Sequence, residues 1–160
     1  VWQVLPGERG ESVFLEKWYD AFPNLSTRDD QIDWTYFMAL RDEVNKAIEV
    51  LRTDGKLGSS LEANVTLYAD DELYDTFNAL GEELRFILIT SGACVKKLSD
   101  APDDAMSALD LKMTVTASEA QKCERCWHRR NDVGKDPAHP DICTRCINNI
   151  SGPGETRRFA

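Results

Sequence analysis

Four of the five cysteines in this 160-residue chain form two pairs, Cys123-x2-Cys126 and Cys143-x2-Cys146, with 16 residues between the pairs. Two CxxC pairs at this separation are a zinc-site pattern. Two residues between thiolates let one tight turn place both sulfurs on the same tetrahedron. With Zn–S bonds of about 2.3 Å, sulfurs on that tetrahedron stand about 3.7 Å apart. Two such turns fill all four corners and leave no position for water. The expected cofactor is therefore one zinc ion on Cys123, Cys126, Cys143 and Cys146, in a structural role. Disulfides are the alternative, favoured only in an oxidising compartment. An iron–sulfur cluster or a redox CxxC pair is a smaller one. His128 and His139 are possible substitute ligands, but with four cysteines in place each reads as a loop residue.

The metal is also expected to do the folding. Between the outer cysteines the chain has little to bury beyond Trp127, Val133 and Ile142. Such a segment does not offset its own ordering entropy, whereas structural zinc contributes roughly 10–16 kcal/mol in finger peptides.

Charge limits the partners. The chain carries 28 acidic against 19 basic residues, net −9. Residues 1–118 are strongly acidic, whereas residues 119–160 hold eight Lys/Arg against six Asp/Glu. Four thiolates and one Zn2+ bring that module close to zero, so a strong nonspecific grip on polyanions is not expected. What remains is local. Arg125, Arg129, Arg130 and Arg145 lie near Trp127 in the sequence, with Lys135, Arg157 and Arg158 in the same module. Guanidinium groups pair phosphates and an indole stacks on an unstacked base, so this set is a candidate RNA surface. The competing reading packs Trp127 under the knuckle and lets the arginines neutralise thiolates.

An apolar fraction of 42% fits a soluble globular chain, and no apolar run approaches the roughly 20 residues of a bilayer helix. The opening Val1-Trp2-Gln3-Val4-Leu5 lacks the basic start of a secretory leader, and a cytoplasmic location is expected. The missing initiator Met fits a processed chain or a piece of a longer one.

The fold class expected is α+β. The first 25 residues read as a loop and a short helical or extended arm whose Phe14, Leu15, Trp18, Tyr19 and Phe22 need something to pack on. Trp34, Phe37, Met38, Val44, Ala47, Ile48 and Leu51 recur at three- and four-residue steps, predicting a helix over 33–54. Asp33 caps its start and Gly55 follows its end. Residues 64–69 alternate as a half-buried strand. Asp70-Asp71-Glu72 opens a second helix with its acids where the helix dipole favours them. Phe86 to Ile89 fits either the end of that helix or the start of a buried strand; the strand, running to about Val95, is the favoured reading, and Leu109 to Thr116 reads as another strand. Cys94 is expected to be a buried small residue.

No glycine-rich phosphate loop, GxSxG, HExxH or HRD motif is present, so no catalytic residue is assigned. One reading is a free-standing zinc-ribbon nucleic-acid binder, which the acidic 1–118 and near-neutral module make poor. Another comes from resemblance, since the four-cysteine module is similar to the C-terminal finger of formamidopyrimidine-DNA glycosylases, a family that needs an N-terminal catalytic proline where this chain has Val1-Trp2.

A longer set of motifs supports a third. Cys123-Glu-Arg-Cys-Trp-His128, Asp132-Val-Gly-Lys135, Ile142-Cys-Thr-Arg-Cys-Ile147 and the tail from Gly154 to Ala160 resemble the C-terminal zinc module of the bacterial isoleucyl-tRNA synthetases. Leu5-Pro-Gly-Glu-Arg9, Ser12-Val-Phe-Leu15, Arg41-x-Glu-Val-Asn-Lys46, Gly58-Ser-Ser-Leu-Glu-Ala63 and Glu83-Leu-Arg-Phe-Ile-Leu88 are similar to the region before it. That family is class I: its members activate isoleucine with ATP and attach it to tRNA(Ile), and the parent is expected to be a monomer. Lys112-Met113-Thr114 does not make a KMSKS loop, so the resemblance implies a non-catalytic part of such an enzyme. It implies three parts: 1–60, the end of a helical anticodon-binding domain; 61–118, a small α/β junction; and 119–160, the zinc module. It further implies anticodon-loop contact by Arg125 and Trp127, and phosphate contact by Arg129, Arg130 and Arg145.

Overall fold

The computed structural model describes residues 2–18, 20 and 33–159. It divides into two units, residues 1–31 and 32–160.

In the first unit, short 3-10 turns run over Trp2–Val4 and Val13–Leu15. The Ser12 hydroxyl accepts from the Phe14 N–H, and the Trp2 indole N–H donates to the Gly10 carbonyl at 3.1 Å. The aromatic arm, expected to pack in this chain or on a missing partner, gives its described members no cover within this unit. Phe14 is 93% exposed and Trp18 97%, because the arm supplies turns and no apolar layer to cover them. Tyr19 and Phe22 lie outside the described residues.

The second unit begins with α1, Trp34–Thr53. The Asp33 carboxylate accepts from the Thr35 and Tyr36 N–H groups, satisfying two donors that the first turn leaves open. Gly55, at φ +71, takes the left-handed turn that ends the helix. The buried face is Phe37, Leu40, Val44, Ala47 and Ile48. Trp34 and Met38, expected on that stripe, are about half exposed, and Leu40 takes the central place instead. The sheet covers a narrower arc of α1 than the full apolar spacing suggested.

The sheet contains β1 (Ala63–Ala69), β2 (Gly92–Lys97), β3 (Met106–Ala108) and β4 (Leu111–Ala117), in the order β2-β1-β4-β3. β1 pairs parallel with β2 and antiparallel with β4. A parallel pair needs a crossover, supplied by α2 (Asp71–Leu80) and α3 (Leu84–Leu88). Val65, Leu67, Met113 and Val115 point into one core with Phe37, Phe77, Leu84 and Leu88.

Three expectations need correcting. The apolar run 86–89 is not strand: Leu84–Leu88 is helical, Ile89 turns left-handed at φ +54, and β2 starts only at Gly92. A short apolar run fits a buried helix turn as well as a strand, and here Leu84, Ile87 and Leu88 bury with helical spacing. Leu109 is not in a strand either. It takes the tight turn between β3 and β4 at φ +56, beside Asp110, which accepts from the Tyr36 hydroxyl. Cys94 is exposed, not buried. β2 is an edge strand, and Cys94 shares a register row with the part-exposed Thr66, its Sγ 3.5 Å from the Thr66 hydroxyl.

Among the described residues, no helix is long and apolar enough to cross a membrane.

Candidate metal centre

The first CxxC turn sits in a small hairpin. Lys122 bridges Arg129, and the Cys123 N–H donates to the His128 carbonyl at 2.9 Å. Trp127 closes the turn at φ +65, its N–H on the Cys123 carbonyl at 2.9 Å. The second turn is the start of α4, Thr144–Ser151: Cys143 stands at the N-cap and Cys146 in the first turn. Asp132 accepts from the Thr144 N–H at 3.2 Å and so supports that end of the helix.

These two turns bring the four sulfurs within 4.8 Å of one another. Cys123 and Cys146 stand 3.7 Å apart, Cys126 and Cys143 3.8 Å. Those separations match the edge of a zinc–thiolate tetrahedron, and the all-sulfur donor set suits zinc. The residues therefore fit the metal, and Cys123, Cys126, Cys143 and Cys146 would hold it as a cross-link between the two turns. Burial pushes the Cys123 thiol up, but the backbone N–H groups of Cys126, Cys143 and Arg125 outweigh it and bring the thiol to about 6. Burial pushes Cys126 and Cys143 up. Among the described residues, the sulfur cluster includes no histidine.

His128 faces the other way. Its Nδ1 lies 3.1 Å from the Cys126 carbonyl, so that nitrogen carries the proton, and its ring meets Phe86 edge-on at 5.8 Å. Burial and the charge of Arg85 bring His128 down to about 4. With an ordinary value near 6.5, the folded state binds fewer protons than the unfolded one between about pH 4 and 6.5. Stability from this group is complete above about pH 6.5 and is lost as pH falls toward 4, about 1–2 kcal/mol after allowing for solvent screening. An NMR pH titration is expected to show the His128 imidazole titrating below the ordinary histidine value. A midpoint above 6 contradicts this burial.

The arginines divide into two groups. Arg125 is exposed and donates to the Cys146 sulfur at 3.6 Å. Trp127 is 60% exposed, with the Lys122 ammonium 5.5 Å from its ring centre. It does not pack under the knuckle. Arg129, Arg130 and Arg145 instead meet carboxylates. Arg129 pairs with Glu62 at 3.0 Å and donates its N–H to the Ser91 hydroxyl at 2.6 Å. Arg130 pairs with Glu82 at 3.2 Å. Arg145 makes a two-pronged bond to Glu155 at 2.6 and 2.7 Å, and that fork holds the Glu155 carboxyl down at about 2. These contacts tie the zinc hairpin and α4 to the sheet end, the turn before α3 and the chain's tail. Ser91, Glu62, Glu82 and Glu155 have no spacing signal in the sequence; Glu62, inside Gly58-Ser-Ser-Leu-Glu-Ala63, and Glu155, inside the tail motif, stood in a recognisable context.

Residues 120–149 match the family model described as the zinc finger found in FPG and IleRS. The module is a zinc finger of that class, set on a small α+β unit. The similarity extends much further. The whole chain aligns over 164 positions with isoleucine–tRNA ligases, at 51% identity in Shewanella pealeana, 51% in Idiomarina loihiensis and 49% in Shewanella halifaxensis. The chain spans 17% of the length of each of these relatives. It corresponds, from end to end, to the C-terminal region of bacterial-type isoleucyl-tRNA synthetase that includes the four-cysteine zinc module.

Proposed function

We propose that this chain is the part of an isoleucine–tRNA ligase that holds the anticodon stem-loop of tRNA(Ile). The parent enzyme activates isoleucine with ATP and attaches it to the tRNA; this region supplies binding and no catalytic residue. One structural zinc, on Cys123, Cys126, Cys143 and Cys146, fixes the knuckle. The division into 1–60, 61–118 and 119–160 belongs to the same reading, as do a cytoplasmic location and a monomeric parent.

The observation that carries it is the outward Trp127. A large indole exposed on a rigid, cross-linked turn, beside Lys122 and Arg125, is a stacking platform with phosphate partners at its edge. Packing does not explain its exposure. Arg129, Arg130 and Arg145 take supporting phosphate contacts, using N–H groups left over from their carboxylate pairs. Likeness along the whole chain to ligases favours this over the glycosylase and free-standing zinc-ribbon readings.

Trp127→Ala in the full-length ligase is expected to weaken tRNA charging roughly tenfold, the order of one lost base stack. Isoleucine-dependent pyrophosphate exchange should stay near wild type. Equal loss in both half-reactions, or none in either, speaks against the assignment.

A further inference from the structure

A recess of about 710 Å3 opens between α3, α4 and the tail, and Trp127 is not among its lining residues. Its apolar wall is Leu80, Phe86 and Ile147, and its polar wall holds Arg85, Arg130, Arg145 and Arg157. The carboxylates around it are already shared. Glu82 Oε2 accepts from Arg85 at 3.1 Å and pairs with Arg130 at 3.2 Å. Glu155 accepts from both Arg145 and Arg157. Glu83 takes the backbone N–H groups of Arg158 and Phe159. Asp132 also stands 3.7 Å from the Arg130 Nε, so four guanidinium groups share their carboxylate oxygens with one another and with backbone amides.

Arg85 shows the consequence. Its side chain is only 4% exposed and its Nη1 has no hydrogen-bond acceptor. A buried charged donor without an acceptor is costly, and the Phe86 ring face, 4.1 Å from the guanidinium, compensates only in part. Burial, then the charge of Arg130, pushes the Arg85 pKa down. An anion in the recess relieves this repulsion.

The volume is far more than a bare phosphate requires and lies within the range of small-ligand sites. The walls combine anion donors with flat guanidinium groups and aliphatic surface. Phe86 is already covered by Arg85 and by Arg157, the latter 3.9 Å from the ring centre. A flat ligand therefore meets arginine planes and the Leu80–Ile147 wall, and arginine planes stack on bases.

We propose that this recess is a second nucleotide subsite, taking one unstacked nucleotide of an RNA strand with its phosphate among Arg130, Arg145 and Arg157. The assignment of the strand to RNA rests on the function proposed above; the nucleotide subsite rests on the recess alone.

The test is NMR on the zinc-loaded full chain, following the arginine Nε–H signals, the α4 amides and the Trp127 indole N–H. The probes are AMP, adenosine, inorganic phosphate and a single-stranded RNA heptamer. AMP is expected to shift the Arg130, Arg145 and Ile147 signals saturably, at least tenfold more tightly than adenosine or phosphate. The heptamer should shift the same signals at lower concentration. Ser151→Trp, at the exposed last residue of α4, narrows the recess, and Arg130→Gln removes one wall charge. Each should weaken AMP at least fivefold with zinc content unchanged, and the second variant stands if the first disturbs α4. Phosphate binding as tightly as AMP, or AMP shifting only the indole, overturns the subsite. AMP binding without the heptamer overturns its assignment to a strand. Loss of the tRNA effect of Trp127→Ala, with AMP still shifting the recess, overturns the anticodon reading and keeps the subsite.

Discussion

Cys146→Ser is expected to abolish zinc binding and unfold the module from about residue 119 to the end of α4. Cys146 is fully buried, 3.7 Å from Cys123, and its neighbours in the cluster are the other cysteines with only Val133 and Ile142 beside them. No apolar core replaces the metal, whose contribution is roughly 10–16 kcal/mol in comparable peptides. Serine offers a hydroxyl in place of a soft thiolate, and the tetrahedron loses a corner. Zinc analysis should fall from one ion per chain to none. Amide signals of residues 119–151 should collapse toward random-coil positions, with those of the sheet and α1 largely kept. Stoichiometric zinc with an intact amide spectrum is the result that refutes a folding role for the metal.

Phe77→Ala is expected to be the most damaging single change in the α+β unit. Phe77 is 1% exposed on α2, and its ring meets Phe37 of α1 edge-on at 5.1 Å and Tyr36 at 6.2 Å. Truncation leaves a cavity at the point where two helices meet over the sheet. Such a cavity costs roughly 3–5 kcal/mol, against a total stability of about 5–15 kcal/mol for a domain. Urea unfolding of the zinc-loaded chain should show the midpoint falling with the slope unchanged. A loss below about 1 kcal/mol would mean that the site collapses freely and that the aromatic cluster is not what joins α1 to α2.

Local chemistry was legible where one residue's neighbours in sequence are also its neighbours in space. The Asp33 cap, the Gly55 stop and the α2 start at Asp70 and Asp71 follow from backbone donors only two or three residues away. The two CxxC turns belong to the same class, since two residues between thiolates suffice to aim both sulfurs at one point. The run 86–89 was not legible, because its apolar residues suit a helix turn and a buried strand alike, whereas the strand expected to follow it is found in β2. Which one forms depends on α1 and the sheet standing on the same side of it. Cys94 was misread for a related reason: edge position in a sheet is set by strand order, which no local pattern carries.

By itself, the sequence determined the four-cysteine cluster, the α+β class, the long first helix and the likeness to the synthetases, because spacing and capping act over a few residues. Only the tertiary structure decided which arginines are spent on carboxylates, that Trp127 faces outward, and that Arg85, Arg130, Arg145 and Arg157 share one recess. Those outcomes rest on pairs such as Arg129 with Glu62, 67 residues apart, and Phe159 with Glu83, 76 apart. Charge and aromaticity are visible one residue at a time, but their partners exist only after the chain has folded back on itself.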